Sequence, residues 1–393
     1  MVPVRPENAY QARLLRVLRD GPRSRVELCD AVGLSRSKLT AEVDRLVELG
    51  LVESAGPAAS RGGRRSSLLR VAGTVRFAGL VVGPDRLTAA VTDGELNVLA
   101  ELHEPTDVRL GPEPVVARAV ELVGKLRADL GLTHLNGIGV GLPGPVAFPQ
   151  GSPVAPGALP GWHGFPVRDT LGAELECPTL VDNDANVMAL GEQHAGIGRA
   201  FDDFLYVKLG TAIGCGLVLR GAPHRGATSG AGDIAHLGLA DDGPGCACGE
   251  AGCLEAYCGD SGLVGAALDA ARSGRSPALA ERLAGSGTLT MADVARAAAA
   301  GDPAVQAVAR DAARRLGRVL VGLVSFVNPA IVIIGGAPDG LGHALLAEIR
   351  AVVYRRSAPL TTGTMPIVLS DLGERAAVVG AARLISEQVF ASD

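Results

Sequence analysis

Phe204-Leu-Tyr-Val-Lys-Leu-Gly-Thr-Ala-Ile-Gly-Cys-Gly216 is the stretch whose reading decides the fold. Its first six residues predict a strand, and the glycines that follow predict a tight turn at the strand's end. The same phrase recurs along the chain. Phe77-Ala-Gly-Leu-Val-Val82 and Leu87 to Val91 predict consecutive strands around a turn at Gly83-Pro84. Gly137-Ile-Gly-Val-Gly-Leu142 predicts a buried strand ending in Pro143-Gly144-Pro145, and Leu180-Val-Asp-Asn-Asp184 a strand end running into a helix. Val324 to Ile334 predicts a helix end and one more strand, closing in Gly335-Gly336. Strand, glycine turn and helix in repetition argue an α/β body with ligands at the strand ends.

A second stretch carries its own chemistry. His236 is followed by Cys246-Ala-Cys248-Gly-Glu-Ala-Gly-Cys253-Leu-Glu255. One imidazole and three thiolates, spaced Cys-x-Cys and Cys-x4-Cys around glycines, suit a loop wrapped about a tetrahedral ion. Soft sulfur ligands with one histidine, and no open position, point to structural zinc held by His236, Cys246, Cys248 and Cys253. The plain alternative is a chance cluster of buried cysteines, one of them paired. Cys29, Cys177 and Cys258 read as small buried residues outside the set.

The 393 residues exceed one simple domain, and 47% hydrophobic with 20% charged composition predicts a substantial core. With only 3% aromatics, that core must be built from Ala, Val and Leu. No apolar segment follows a basic N-terminus, and the most apolar region, Val319 to Ala337, is broken by Asn328-Pro329 and Gly335-Gly336. These features predict a cytoplasmic chain with no membrane partner and reduced cysteines. Net charge is −5, yet residues 1–72 hold 13 Lys/Arg against 8 Asp/Glu. A basic first domain therefore stands on an acidic body.

Residues 1–72 read as a winged helix-turn-helix. Leu14, Leu15 and Leu18 lie at helical spacing before Gly21-Pro22. Ser24 and Glu27 form a capping box for a second helix that stops at Val32-Gly33. Ser35 caps a third, with Leu39, Val43, Leu46 and Val47 facing inward, and Leu51-Val52-Glu53 starts a strand. The third helix would enter the major groove of duplex DNA with Arg36, Ser37, Lys38 and Thr40, while Arg61, Arg64 and Arg65 lie in the wing. A small helical bundle with ordinary surface arginines is the plain alternative.

Residues 137–255 resemble the ROK family of sugar kinases and sugar-responsive repressors. The matching pieces are Gly141-Leu-Pro-Gly144, Leu159-Pro-Gly-Trp162, Asn183-Asp184-Ala-Asn186, Gly210-Thr-Ala-Ile-Gly214, Gly232-Asp-Ile-Ala-His236 and the Cys246–Glu255 loop. Asn328-Pro329 to Gly336 resembles the family's adenosine-side segment, and the winged helix resembles its repressor branch. The resemblance implies a two-lobed actin/hexokinase-like (ribonuclease H-like) sugar-kinase fold over residues 73–393. It also implies a sugar pocket of Asn183, Asp184, Asp233, His236 and Glu255, with Asp184 at the position of the kinases' catalytic general base. Asp233 stands where the family usually has glutamate. A helix cap at a strand end is the plain alternative for Asn183-Asp184.

The family's kinases use an Asp-x-Gly-Gly-Thr turn after the first strand. Anchored on Asp93, that turn falls on Val81-Val-Gly-Pro-Asp85. Val81 cannot orient a hydrated magnesium ion, Pro84 removes an N–H donor, and Asp85 sets a negative charge near phosphate. Ala212 and Cys215 replace glycines in the second phosphate loop. This pattern argues against ATP and magnesium and for a regulator, a repressor relieved by sugar. Such a regulator would be a homo-oligomer, dimer or tetramer, reading a pseudo-palindromic operator. An active sugar kinase fused to a DNA-binding domain is the alternative, and a regulator that reads a protein partner is a third reading.

Overall fold

Local caps set the first three helices. In the computed structural model, which describes residues 5–57, 67–154, 159–337 and 341–392, Asn8 caps α1 (Ala9–Arg19) with its side-chain oxygen. A short strand β1 (Arg23–Ser24) leads into α2 (Arg25–Val32), where Ser24 and Glu27 make the predicted capping box and Gly33 closes the helix in the left-handed region. Ser35 caps α3 (Arg36–Glu48) by accepting from the Lys38 amide. β2 (Val52–Pro57) and β3 (Ser67–Val71) then pair antiparallel as the wing's ladder, with β1 on the other side of β3. Leu39, Val43 and Leu46 are buried as expected, but Val47 is exposed. One residue past Leu46 turns it roughly 100° off the apolar stripe. The wing arginines Arg61, Arg64 and Arg65 lie outside the described residues.

Two lobes follow, built on one plan. The first has β4 (Arg76–Val82), β5 (Arg86–Asp93), β6 (Val98–Pro105), α4 (Pro112–Asp129), β7 (Gly137–Leu142), the small hairpin β8 (Val146–Ala147) and β9 (Ser152–Pro153), α5 (Val167–Leu175), β10 (Thr179–Asn183) and α6 (Asp184–Ala195). The second has β11 (Phe204–Lys208), β12 (Gly214–Leu219), β13 (Ala222–Pro223), α7 (Leu254–Cys258), α8 (Asp260–Arg272), α9 (Pro277–Ser286), α10 (Met291–Ala299), α11 (Pro303–Val327), β14 (Ile331–Gly335), α12 (Gly342–Arg356), α13 (Pro359–Thr362), β15 (Ile367–Leu369) and α14 (Arg375–Val389). The sheet orders are β6-β5-β4-β7-β10 and β13-β12-β11-β14-β15. In each, three antiparallel strands are extended by two parallel ones in the same relative order. That duplication is the actin/hexokinase-like plan.

Helices α6 and α14 join the parts. Ala376 and Ala377, in the first turn of α14, pack with Tyr206 and Ile333 of the second sheet. Its middle lies on the first sheet so closely that a Cβ on Gly79 or Gly139 would strike the carbonyls of Val378 or Ala381. Gly380 meets the Val187 carbonyl of α6 in the same way. Its last turns belong to another core: Ala382, Ile385, Val389 and the following Phe390 pack with Leu14, Leu15, Leu18 and Leu28 of the winged helix. The winged helix is thus fused to the body by shared apolar packing. No helix among the described residues is long and apolar enough to cross a membrane.

Candidate functional site

The loop between β13 and α7 gathers one ligand atom each from His236, Cys246, Cys248 and Cys253, all within 4.8 Å of one another. Cys248 Sγ lies 3.7 Å from Cys253 Sγ, and Cys246 Sγ lies 3.6 Å from His236 Nδ1. A tetrahedron with metal–sulfur bonds of about 2.3 Å and metal–nitrogen bonds of about 2.05 Å has edges of roughly 3.8 and 3.6 Å. The set therefore fits a four-coordinate ion through Nδ1 of the histidine. Cys258 stays out of it, buried with its thiol on the Ala312 carbonyl. Backbone bonds join the end of the loop to the segment that carries His236: the Leu254 amide donates to the Leu237 carbonyl and the Glu255 amide to the Ala235 carbonyl, on either side of the histidine.

At the end of β10, Asn183 caps α6, accepting from the Ala185 amide at 2.9 Å and donating to the Gly144 carbonyl at 2.8 Å. Asp184 is buried, and its Oδ2 accepts a 2.6 Å hydrogen bond from Nζ of Lys208, the last residue of β11. Glu255 is half-buried and accepts from the Ile213 amide at 2.7 Å, so it braces the glycine turn after β11. Burial pushes its carboxyl above the ordinary range, against the opposing pull of that amide and of Lys208. Asp260, raised by burial too, feels the same lysine. Asp233 and the His236 ring stand exposed on the segment before the metal loop. At the first turn, the Gly83 amide is spent on the Arg86 carbonyl at 2.8 Å and Pro84 has no N–H. A phosphate there would find neither donor.

The ROK family pattern matches residues 77–388, and a MarR family pattern matches residues 6–66. The chain belongs to the ROK family. A xylose repressor of Caldicellulosiruptor bescii is 26% identical over 365 residues, 92% of this chain and 91% of that protein. A glucokinase of Halalkalibacterium halodurans is 33% identical over 257 residues, 65% of this chain and 78% of the enzyme. Among solved structures, a ROK family transcriptional regulator homologous to the E. coli MLC protein superposes with a TM-score of 0.81 at 23% identity, covering 97% of this chain and 95% of its own. A Streptomyces griseus ROK glucokinase in complex with glucose and AMPPNP gives 0.68 at 28% identity, covering 79% of this chain and 98% of its own. The xylose repressor and the transcriptional regulator thus match nearly the full length of the chain, whereas the two glucokinases match the body.

Arg36, Ser37, Lys38 and Thr40 are all exposed at the start of α3. Lys38 Nζ rests 3.9 Å from the Tyr10 ring centroid and Thr40 Oγ1 donates to the Arg36 carbonyl. Two contacts at the candidate site escape the sequence. Lys208 on Asp184 is one; its only signal is a cation closing an apolar strand. The other is Asp182, whose Oδ2 takes a 2.7 Å bond from Arg225 while its Oδ1 accepts from the Asn183 amide and from Asn186. Arg225 also stacks 3.8 Å over the Phe148 ring.

Proposed function

We propose that this ROK protein is a sugar-responsive transcriptional repressor, with residues 1–72 on operator DNA and residues 73–393 as the effector body. The observation that carries the reading is α14, which belongs to the packing of both lobes and, by its last turns, to the winged-helix core. A ligand that changes the lobe arrangement must therefore act on the DNA-binding fold, and the operator shifts the same equilibrium in return.

Asn183, Asp184, Asp233, His236 and Glu255 would read the sugar's hydroxyls, and zinc at His236, Cys246, Cys248 and Cys253 would hold the last two in place. Phosphoryl transfer is not its work: the first phosphate turn offers no donor at Gly83 or Pro84. Phe326 and Leu360 are 91% and 97% exposed, which supports a homo-oligomer, and a symmetric dimer would read a pseudo-palindrome. A thermal-shift screen of sugars and sugar phosphates tests the sensor, since a ligand selective for the folded state raises Tm. The best hit must then change operator affinity. Sugar-dependent ADP release lost in Asp184→Asn would overturn the reading in favour of a kinase.

A further inference from the structure

A second cleft lies away from the sugar and metal sites. It has a volume of about 760 Å³ and opens between α1 of the winged helix, α14, α6 and the β12–β13 hairpin. Cavities of this size hold small organic ligands. Phe148, Leu180, Leu190 and Leu384 give it an apolar wall, Gln193 and Arg225 line it too, and at one end two guanidiniums are buried side by side. Arg19 is 3% exposed and Arg383 is 12% exposed. Arg19 donates to Ser386 Oγ at 3.1 Å and sits 2.9 Å from Glu387 Oε1, and Arg383 approaches that same oxygen at 3.3 Å. The Nε–H of each arginine is buried without an acceptor.

Charge points the same way. Arg19, Arg383 and the half-exposed Arg16 gather here against Asp20 and Glu387, with His194 3.5 Å from Asp20, while Arg225, which also lines the cleft, is already paired with Asp182. One positive charge is left over. Burial, and after it the charge of Arg19, bring the Arg383 guanidinium down to about 10. Two guanidiniums that share the one Glu387 carboxylate favour an incoming anion, and a carboxylate matches the planar guanidinium fork.

We propose that this cleft is a second ligand site, taking an organic monocarboxylate whose acid group lies between Arg19 and Arg383 and whose apolar body lies against Phe148, Leu180, Leu190 and Leu384. The site is shared between the DNA-binding fold and the body, so its occupant ties α1 to α14. It is also one side chain from the sugar end, because Arg225 bridges from the cleft to Asp182, the neighbour of Asn183.

The test titrates the full chain calorimetrically with 2-naphthoate and with its neutral amide, 2-naphthamide. The acid binds saturably and at least tenfold more tightly than the amide. Arg383→Met brings the acid down to the affinity of the amide, and Ala222→Trp, which fills the cleft from its exposed rim without touching a buried charge, abolishes binding of both. The proposal is overturned if the acid does not bind saturably, if acid and amide bind alike, or if either folded variant leaves the acid's affinity unchanged. Ala222→Trp decides alone should Arg383→Met not fold. The sugar screen is independent of these outcomes.

Discussion

Phe390→Ala would cut the joint between the winged helix and the body. The ring is fully buried and meets Phe77 edge to face, with centroids 5.5 Å apart and planes at 79°. Truncating a buried phenylalanine costs about 3–5 kcal/mol, of which the aromatic pair accounts for roughly 0.5–1.5. A domain's whole stability is only about 5–15 kcal/mol, so the joint loses a large share of its own. Urea resolves the effect, because two probes look at different places. The single tryptophan, Trp162, is buried in the first-lobe core and reports on the body alone, whereas far-ultraviolet circular dichroism sees every helix. In the parent chain the two transitions coincide. In Phe390→Ala the dichroism begins to fall first, at a urea concentration lower by roughly 1–5 M for a slope of about 1–3 kcal/mol/M. Coincident transitions in the variant, or a loss under about 1 kcal/mol, would refute the shared core as the coupling element.

Three further outcomes follow from the site. Metal analysis should give one zinc per chain, and Cys253→Ser or a chelator should remove it together with the sugar-induced rise in Tm; a stripped protein that still responds to sugar would separate the metal from the pocket. Lys208→Met leaves Asp184 buried and unpaired and should cost about 3–5 kcal/mol in a denaturant titration, while adding Asp184→Leu recovers more than half of the loss. Glu387 is pushed up by burial, but Arg19 and Arg383 outweigh this and hold its carboxyl below the ordinary 4.5. A depressed folded value means stability that is present above the ordinary range and is lost as pH falls through it. Below about pH 4.5 the winged helix should therefore loosen before the body does, and Glu387→Gln should flatten that dependence when the two probes are followed against pH.

Legibility followed range along the chain. The caps at Ser24 and Ser35 join residues three apart and the metal ligands fall within one loop, so both can be read from spacing. Strands show in the same way, since burial of both faces writes continuous apolar runs such as Gly137–Leu142. The family resemblance brought out the two-lobed body but not its joints. Arg19 looks like an ordinary basic residue in a helix's last turn until α14 buries it against Ser386, far along the chain. Lys208 and Asp184 come from a strand and a helix that only the folded lobes bring together. Nor could spacing tell that both ends of the Asn183 amide are engaged by backbone, one on the Ala185 amide as a helix cap and the other on the Gly144 carbonyl.

The glycine seats beneath α14 have a mechanical consequence. Backbone resting on backbone leaves no room to slide, so the helix turns with the lobe that holds it. Its 15 residues reach roughly 22 Å at about 1.5 Å each, and a tilt of roughly 5° at the base would sweep the far end by about 2 Å. In the proposed symmetric dimer the sweeps would oppose, giving about 4 Å between paired winged helices, against the roughly 3.4 Å rise of one step along a DNA strand. On that proposal, small angular changes at the lobes would be geared up, at the operator, to the step of a single base pair.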